Sequence, residues 1–151
     1  MASTLVKIDI HITFHVKSTG MTIRPSDLGR LFTYIAGILK KRNAIPFEIG
    51  GMPDHLHILT SLPKDMTLSN LVRDIKADSS KWIKALSPDY HTFAWQERYG
   101  AFSVSPSLLD KTVQYIRQQP QHHQKMSFQE EYKMFLDAYH MEYDEKFAFG
   151  D

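Results

Sequence analysis

Cysteine is absent from the 151-residue chain. That excludes a disulfide framework, a thiolate metal site and a thiol nucleophile, so covalent chemistry has to use Ser, Thr, Lys, a carboxylate, His or Tyr. No apolar run approaches the roughly 20 residues needed to span a bilayer, and no N-terminal apolar stretch ends in a cleavage site. These absences predict a soluble, cytoplasmic protein with no membrane partner. No internal repeat or low-complexity segment interrupts the chain, and its 42% hydrophobic content suits one compact domain over residues 1–151. Excess charge of one sign is missing as well, since 18 Lys and Arg stand against 17 Asp and Glu. The average hides an asymmetry: from Ser127 onward about seven acids face two bases, which leaves the preceding part near +6. A basic body with an acidic tail is compatible with nucleic acid, and equally with a solvated surface whose charges segregate.

Apolar residues alternate from Val6 to Val16 with Lys7, Asp9, His11, Thr13 and His15, the period of a half-buried strand. A helix is predicted from Ser26 to about Lys41, with Leu28, Leu31, Phe32, Ile35 and Leu39 at helical spacing. Two strands follow, about 45–50 and 55–62, joined as a hairpin through Met52, Pro53 and Asp54. Thr67 or Ser69 can cap a second helix that Pro88 ends. An aromatic strand over about 93–104, bent at Gly100, leads to Ser105-Pro106, a good helix start. That helix should break at Pro120, and a last one should occupy about 128–139. The order strand, helix, strand, strand, helix, strand predicts an α+β fold: a ferredoxin-like antiparallel sheet with two helices on one face, extended by C-terminal helices that carry Tyr115.

Within Pro53-Asp54-His55-Leu56-His57, a strand sends His55 and His57 to one face and Leu56 to the other. Two imidazoles on a rigid strand make a plausible metal platform. With eight histidines in the chain such a pair arises by chance on the order of 0.4 times, so the motif alone does not decide against two half-exposed histidines on a polar face. Tyr115 and Gln119 fall on one side of the stripe formed by Leu109, Val113 and Ile116, and so project as a pair. An ordinary boundary tyrosine would look the same. His122 and His123 diverge as helix neighbours and read as solvated or capping residues, and the stretch from Trp95 to Phe102 reads as core before it reads as a base-stacking surface.

An ordered set of segments runs through the chain: Gly50-Gly51-Met52-Pro53-Asp54-His55-Leu56-His57, Leu71 to Lys76, Ser79 to Ile83, Trp95-Gln96, Tyr99 to Ser105, Tyr115 through Gln119 to His122-His123, and Phe128 to Tyr132. Taken together it resembles the HUH-type single-tyrosine transposases of the insertion-sequence 200/605 group. Gln118 departs from the Asn usual in that family. The resemblance implies that Tyr115 is the nucleophile and that His55, His57 and Gln119 hold a divalent metal, Mg or Mn. It implies single-stranded DNA with hairpin-forming ends as substrate, cut and rejoined through a 5′-phosphotyrosine, and a homodimer that shares its active sites between subunits. Arg73, Lys76 and Lys81 are candidate phosphate contacts. Competing expectations are a host-retained nuclease that processes palindromes, a non-catalytic module that binds DNA hairpins, and a histidine-based phosphoesterase that forms no covalent adduct.

Overall fold

The computed structural model describes residues 4–18, 20–144 and 150–151. Its elements are β1 (Asp9–His15), α1 (Pro25–Lys41), β2 (Pro46–Met52), β3 (His55–Ser61), α2 (Leu68–Leu86), β4 (Gly100–Val104), α3 (Leu109–Arg117), α4 (Gln119–His122) and α5 (Phe128–Ala138). The four strands form an antiparallel sheet in the order β2-β3-β1-β4, with the central pair β1 and β3 in register from Asp9 opposite Ser61 to His15 opposite His55. This is the expected ferredoxin-like arrangement.

Strand alternation separates two cores. Ile10, Ile12 and Phe14 of β1 and Leu56 and Ile58 of β3 meet Leu31, Ile35 and Leu39 of α1 and Leu71 and Ile75 of α2. Burying side chains of this kind stabilises by about 1.5–3 kcal/mol each, which anchors the hairpin that carries the histidines. The opposite face was expected to be polar and partly wet. Instead the C-terminal helices cover it: Ile116 of α3 packs on Leu59 and Val104, and Phe128, Tyr132 and Leu136 of α5 pack with Phe102. Asp9, His11, Thr13, His55 and His57 are therefore buried along with the apolar face.

Several local expectations shift for identifiable reasons. β1 begins at Asp9, and Val6 and Ile8 lie exposed before it. α1 starts at Pro25 with Arg24 in the cap position, since proline's fixed φ suits the first helical turn. Thr67 caps α2, its hydroxyl accepting from the Asn70 amide. The aromatic stretch before Gly100 is no strand: Trp95 makes one isolated bridge to Val16, and the side-chain oxygen of Gln96 accepts a hydrogen bond from the His15 amide. Phe93 and Trp95 are there to fill the core against Phe14. Gln119 begins a separate turn after a break at Gln118, so it does not share the helix of Tyr115. Gly50 lets this segment approach closely, because a Cβ there would stand 2.7 Å from the Ile116 carbonyl oxygen. No described helix is long and apolar enough to cross a membrane.

Candidate functional site

The pairing of β2 with β3 places His55 and His57 two residues apart on the covered face, and both are fully buried. Each ring is held at both nitrogens. His55 donates from Nδ1 to the Asp54 carboxylate at 2.8 Å, and its Nε2 lies 2.9 Å from Gln119 Oε1. His57 Nδ1 lies 2.7 Å from Nε2 of His11 on the neighbouring strand, and its Nε2 lies 2.7 Å from Glu131 Oε1. Tyr115, half-buried at the edge of the cluster, donates its hydroxyl proton to Glu131 Oε2. Gln119 Nε2 donates to the same oxygen at 2.9 Å. His123 Nε2 lies 3.0 Å from Gln119 Oε1 and 3.3 Å from Glu131 Oε1.

Four of the residues expected at the site thus meet in one chain: Tyr115, His55, His57 and Gln119. Three more join them. Glu131 on α5 touches His57, Tyr115, Gln119 and His123, the last of which turns inward instead of to solvent, and His11 backs His57. Of the two adjacent histidines, His122 lies tilted beside Tyr115 with ring centroids 4.5 Å apart. The sequence signal for Glu131 was its place in the stripe Phe128, Glu131, Tyr132, Phe135, where a carboxylate on an apolar helix face needs a buried partner. The capping box formed by Ser127 and Glu130 masks that signal, because acids in a first helical turn are ordinary. His11 gave no signal beyond alternation.

Burial acts to raise the Glu131 carboxyl, but the hydrogen bonds from His57, Tyr115 and Gln119 outweigh it, so the group stays ionised well below the usual carboxylate range. Burial also pulls His57 down, beyond the opposing effect of Glu131, and holds His11 far below the usual imidazole value. Tyr115 is pushed far up, by burial first and then by the adjacent carboxylate. The centre is therefore a buried anion whose ion-pair partners among the described residues are imidazoles alone. His55, His57, His123 and Glu131 bring one donor atom each to within 4.8 Å of one another. Three nitrogens and a carboxylate oxygen around an uncompensated negative charge fit a divalent cation.

The three basic residues expected to meet phosphate lie elsewhere, on α2. Arg73 and Lys81 are exposed. Lys76 Nζ donates to the carbonyls of Gln96 at 2.7 Å and Arg98 at 2.8 Å and lies over the Phe14 ring, and burial pushes it down to about 8. It pins the loop before β4.

The solved structures of similar fold include a "putative transposase" from Deinococcus radiodurans, with 18% identity over 79% of this chain and 95% of that one and a TM-score of 0.61. A REP-associated tyrosine transposase bound to a REP hairpin matches 82% of this chain and 73% of its own at 18% identity, with a TM-score of 0.60. At that identity the likeness establishes a shared fold. Among curated proteins none matches the chain. The family model described as "Transposase IS200 like" matches residues 4–119, from before β1 to the glutamine that touches His55. The chain belongs to the IS200-like transposase family.

Proposed function

We propose that this transposase cuts and rejoins single-stranded DNA with Tyr115 as nucleophile, beside a divalent cation held by His55, His57 and Gln119 and joined by Glu131. The observation that carries the reading is the convergence of the tyrosine hydroxyl, His57 and the glutamine on one buried carboxylate, with His55 held by the same glutamine and 3.6 Å from that carboxylate. Asp54 occupies Nδ1 of His55, so Nε2 is the nitrogen left for a ligand. His123 stands ready as a further donor. The carboxylate changes the electrostatics expected from an all-neutral ligand set, since it offsets part of the ion's charge. Imidazoles in the set favour Mn over Mg.

A bound cation would polarise the scissile phosphodiester and balance the charge that gathers on its oxygens. Tyr115 Oη gives up its proton and attacks phosphorus, the bond to the 3′ oxygen breaks, the released oxygen takes up a proton so that none is gained or lost overall, and the 5′-phosphate remains on the tyrosine. Attack by a second 3′-hydroxyl reverses these steps and joins strands. Glu131 Oε2 is the acceptor within reach of the phenol proton, and in the closed arrangement it keeps that proton on Tyr115. DNA reaches the tyrosine when α5 shifts, because Glu131 and its helix cover the cluster.

Arg73 and Lys81 are the candidate phosphate contacts that remain free of the scaffold role taken by Lys76. The fold shared with a protein bound to a REP hairpin supports hairpin-forming ends as substrate. The homodimer expected from the family resemblance would need to exchange tyrosine helices to share its sites, and the geometry supports a site built within one chain. Cleavage assays with single strands flanking the gene, in Mn or Mg and in chelator, test the reading. Metal-dependent cleavage with a denaturant-stable protein–DNA adduct is expected, whereas cleavage without an adduct, or hairpin binding without cleavage, overturns it.

A further inference from the structure

For His57 to offer Nε2 to a cation, its one proton must sit on Nδ1, and that proton needs an acceptor. The partner in place is His11 Nε2, 2.7 Å away across the β1–β3 pair. His11 is 2% exposed, with Phe135 edge-on at 5.0 Å, so solvent does not compete for the contact. In the cation-free arrangement the bond has to run the other way. His57 Nε2 faces the ionised Glu131 at 2.7 Å and must carry the proton there, which leaves Nδ1 bare and accepting from His11. The backing of His55 differs: a carboxylate on Nδ1 can only accept, and holds that ring ready for ligation.

We propose that His11 is a positioning residue of the metal centre, which reverses its hydrogen bond with His57 so that His57 can present a bare Nε2 when a cation enters. On entry His11 Nε2 passes its proton across the 2.7 Å contact to His57 Nδ1, the proton on His57 Nε2 leaves by way of Glu131, and His11 takes one back at Nδ1 by exchange with solvent as the site opens. Each ring keeps one proton, and the pair neither gains nor loses charge. A buried carboxylate in place of His11 would add a second anion, while an apolar residue would leave Nδ1–H without an acceptor inside the protein. At the nitrogen that faces His57 an imidazole can either donate or accept, so one side chain serves both states of that contact.

The inference rests on His57 as a ligand, so the test separates the two claims. Mn affinity is measured by calorimetry on the full metal-free chain for the natural protein, His57→Ala, His11→Phe and His11→Gln. His11→Phe keeps a ring and removes the bond, and should weaken Mn binding by about 10 to 100-fold, the range for lost outer contacts to a ligand histidine. His11→Gln keeps a group that both donates and accepts, and should bind within about threefold of the natural protein. Nitrogen NMR of the natural protein should show the His57 proton on Nε2 without cation and on Nδ1 with saturating Mg. Equal affinity in His11→Phe and the natural protein overturns the inference alone, as does a glutamine variant as weak as the phenylalanine one. A His57 proton that stays on Nε2 under saturating Mg overturns it even where the His11 variants do not fold. Absence of Mn binding by the natural protein, or full binding by His57→Ala, overturns the ligand assignment and this inference with it.

Discussion

Replacing Tyr115 by Phe removes one oxygen, and the consequences follow from where that oxygen points. Its proton goes to a fully buried, ionised carboxylate, and Gln119 Nε2 is the other donor to the same oxygen. A hydrogen bond to a charged group contributes about 1.5–3 kcal/mol, and the half-buried position of the tyrosine places this one toward the lower end. Each kcal/mol moves the melting temperature of a chain this size by roughly 2–4 °C. The variant should therefore melt several degrees lower in chelator, form no covalent adduct, and still bind hairpin DNA. Scanning calorimetry of both proteins in chelator, with a gel for the adduct, checks all three. An unchanged melting temperature would refute the docking of α5 onto Tyr115, and an adduct in the variant would refute the nucleophile.

Mn at a hundred times its dissociation constant should add about 2.7 kcal/mol to the natural protein's stability, read as a rise in melting temperature, and Glu131→Gln should lose most of that rise; an equal rise in both contradicts a role for the carboxylate. Gln119→Ala should slow cleavage by about 10 to 100-fold in single-turnover assays, as for lost metal contacts, and an unchanged rate removes the residue from the site. Gly50→Ala drives a methyl against the Ile116 carbonyl oxygen and should cost about 1–3 kcal/mol while displacing α3 and its tyrosine; unaltered denaturation midpoints count against that packing. Gly100→Ala meets the Tyr132 hydroxyl at 2.8 Å and should speed amide exchange along α5, which unchanged protection would contradict.

Alternation and helical spacing were enough to read the sheet, its hairpin and the first two helices, because those elements bury one continuous apolar face; at Ser105-Pro106 the chain first makes a 3-10 turn over Pro106–Leu108, and α3 begins only at Leu109. The pairing of Tyr115 with Gln119 was also legible, although a break at Gln118 separates their helices. What escaped depends on the second layer. Period-two alternation marks His11 and His57 as polar, but it does not say whether water or another helix meets them, and α5 meets His11 through Phe135 and His57 through Glu131. Glu131 was hidden by its neighbours in a first helical turn, and His123 by the rule that adjacent helix residues diverge, which holds but does not say which of the two points inward. Phe93 to Tyr99 read as strand because core packing and sheet pairing select the same residue types.

The central claim is that Tyr115 carries the reaction. The most direct measurement is mass spectrometry of peptides from the adduct trapped on single-stranded flanking DNA with Mn. A 5′-phosphate on Tyr115 is the predicted result; DNA on another tyrosine such as Tyr99 or Tyr132, or strand cleavage with no protein-linked DNA, would contradict it.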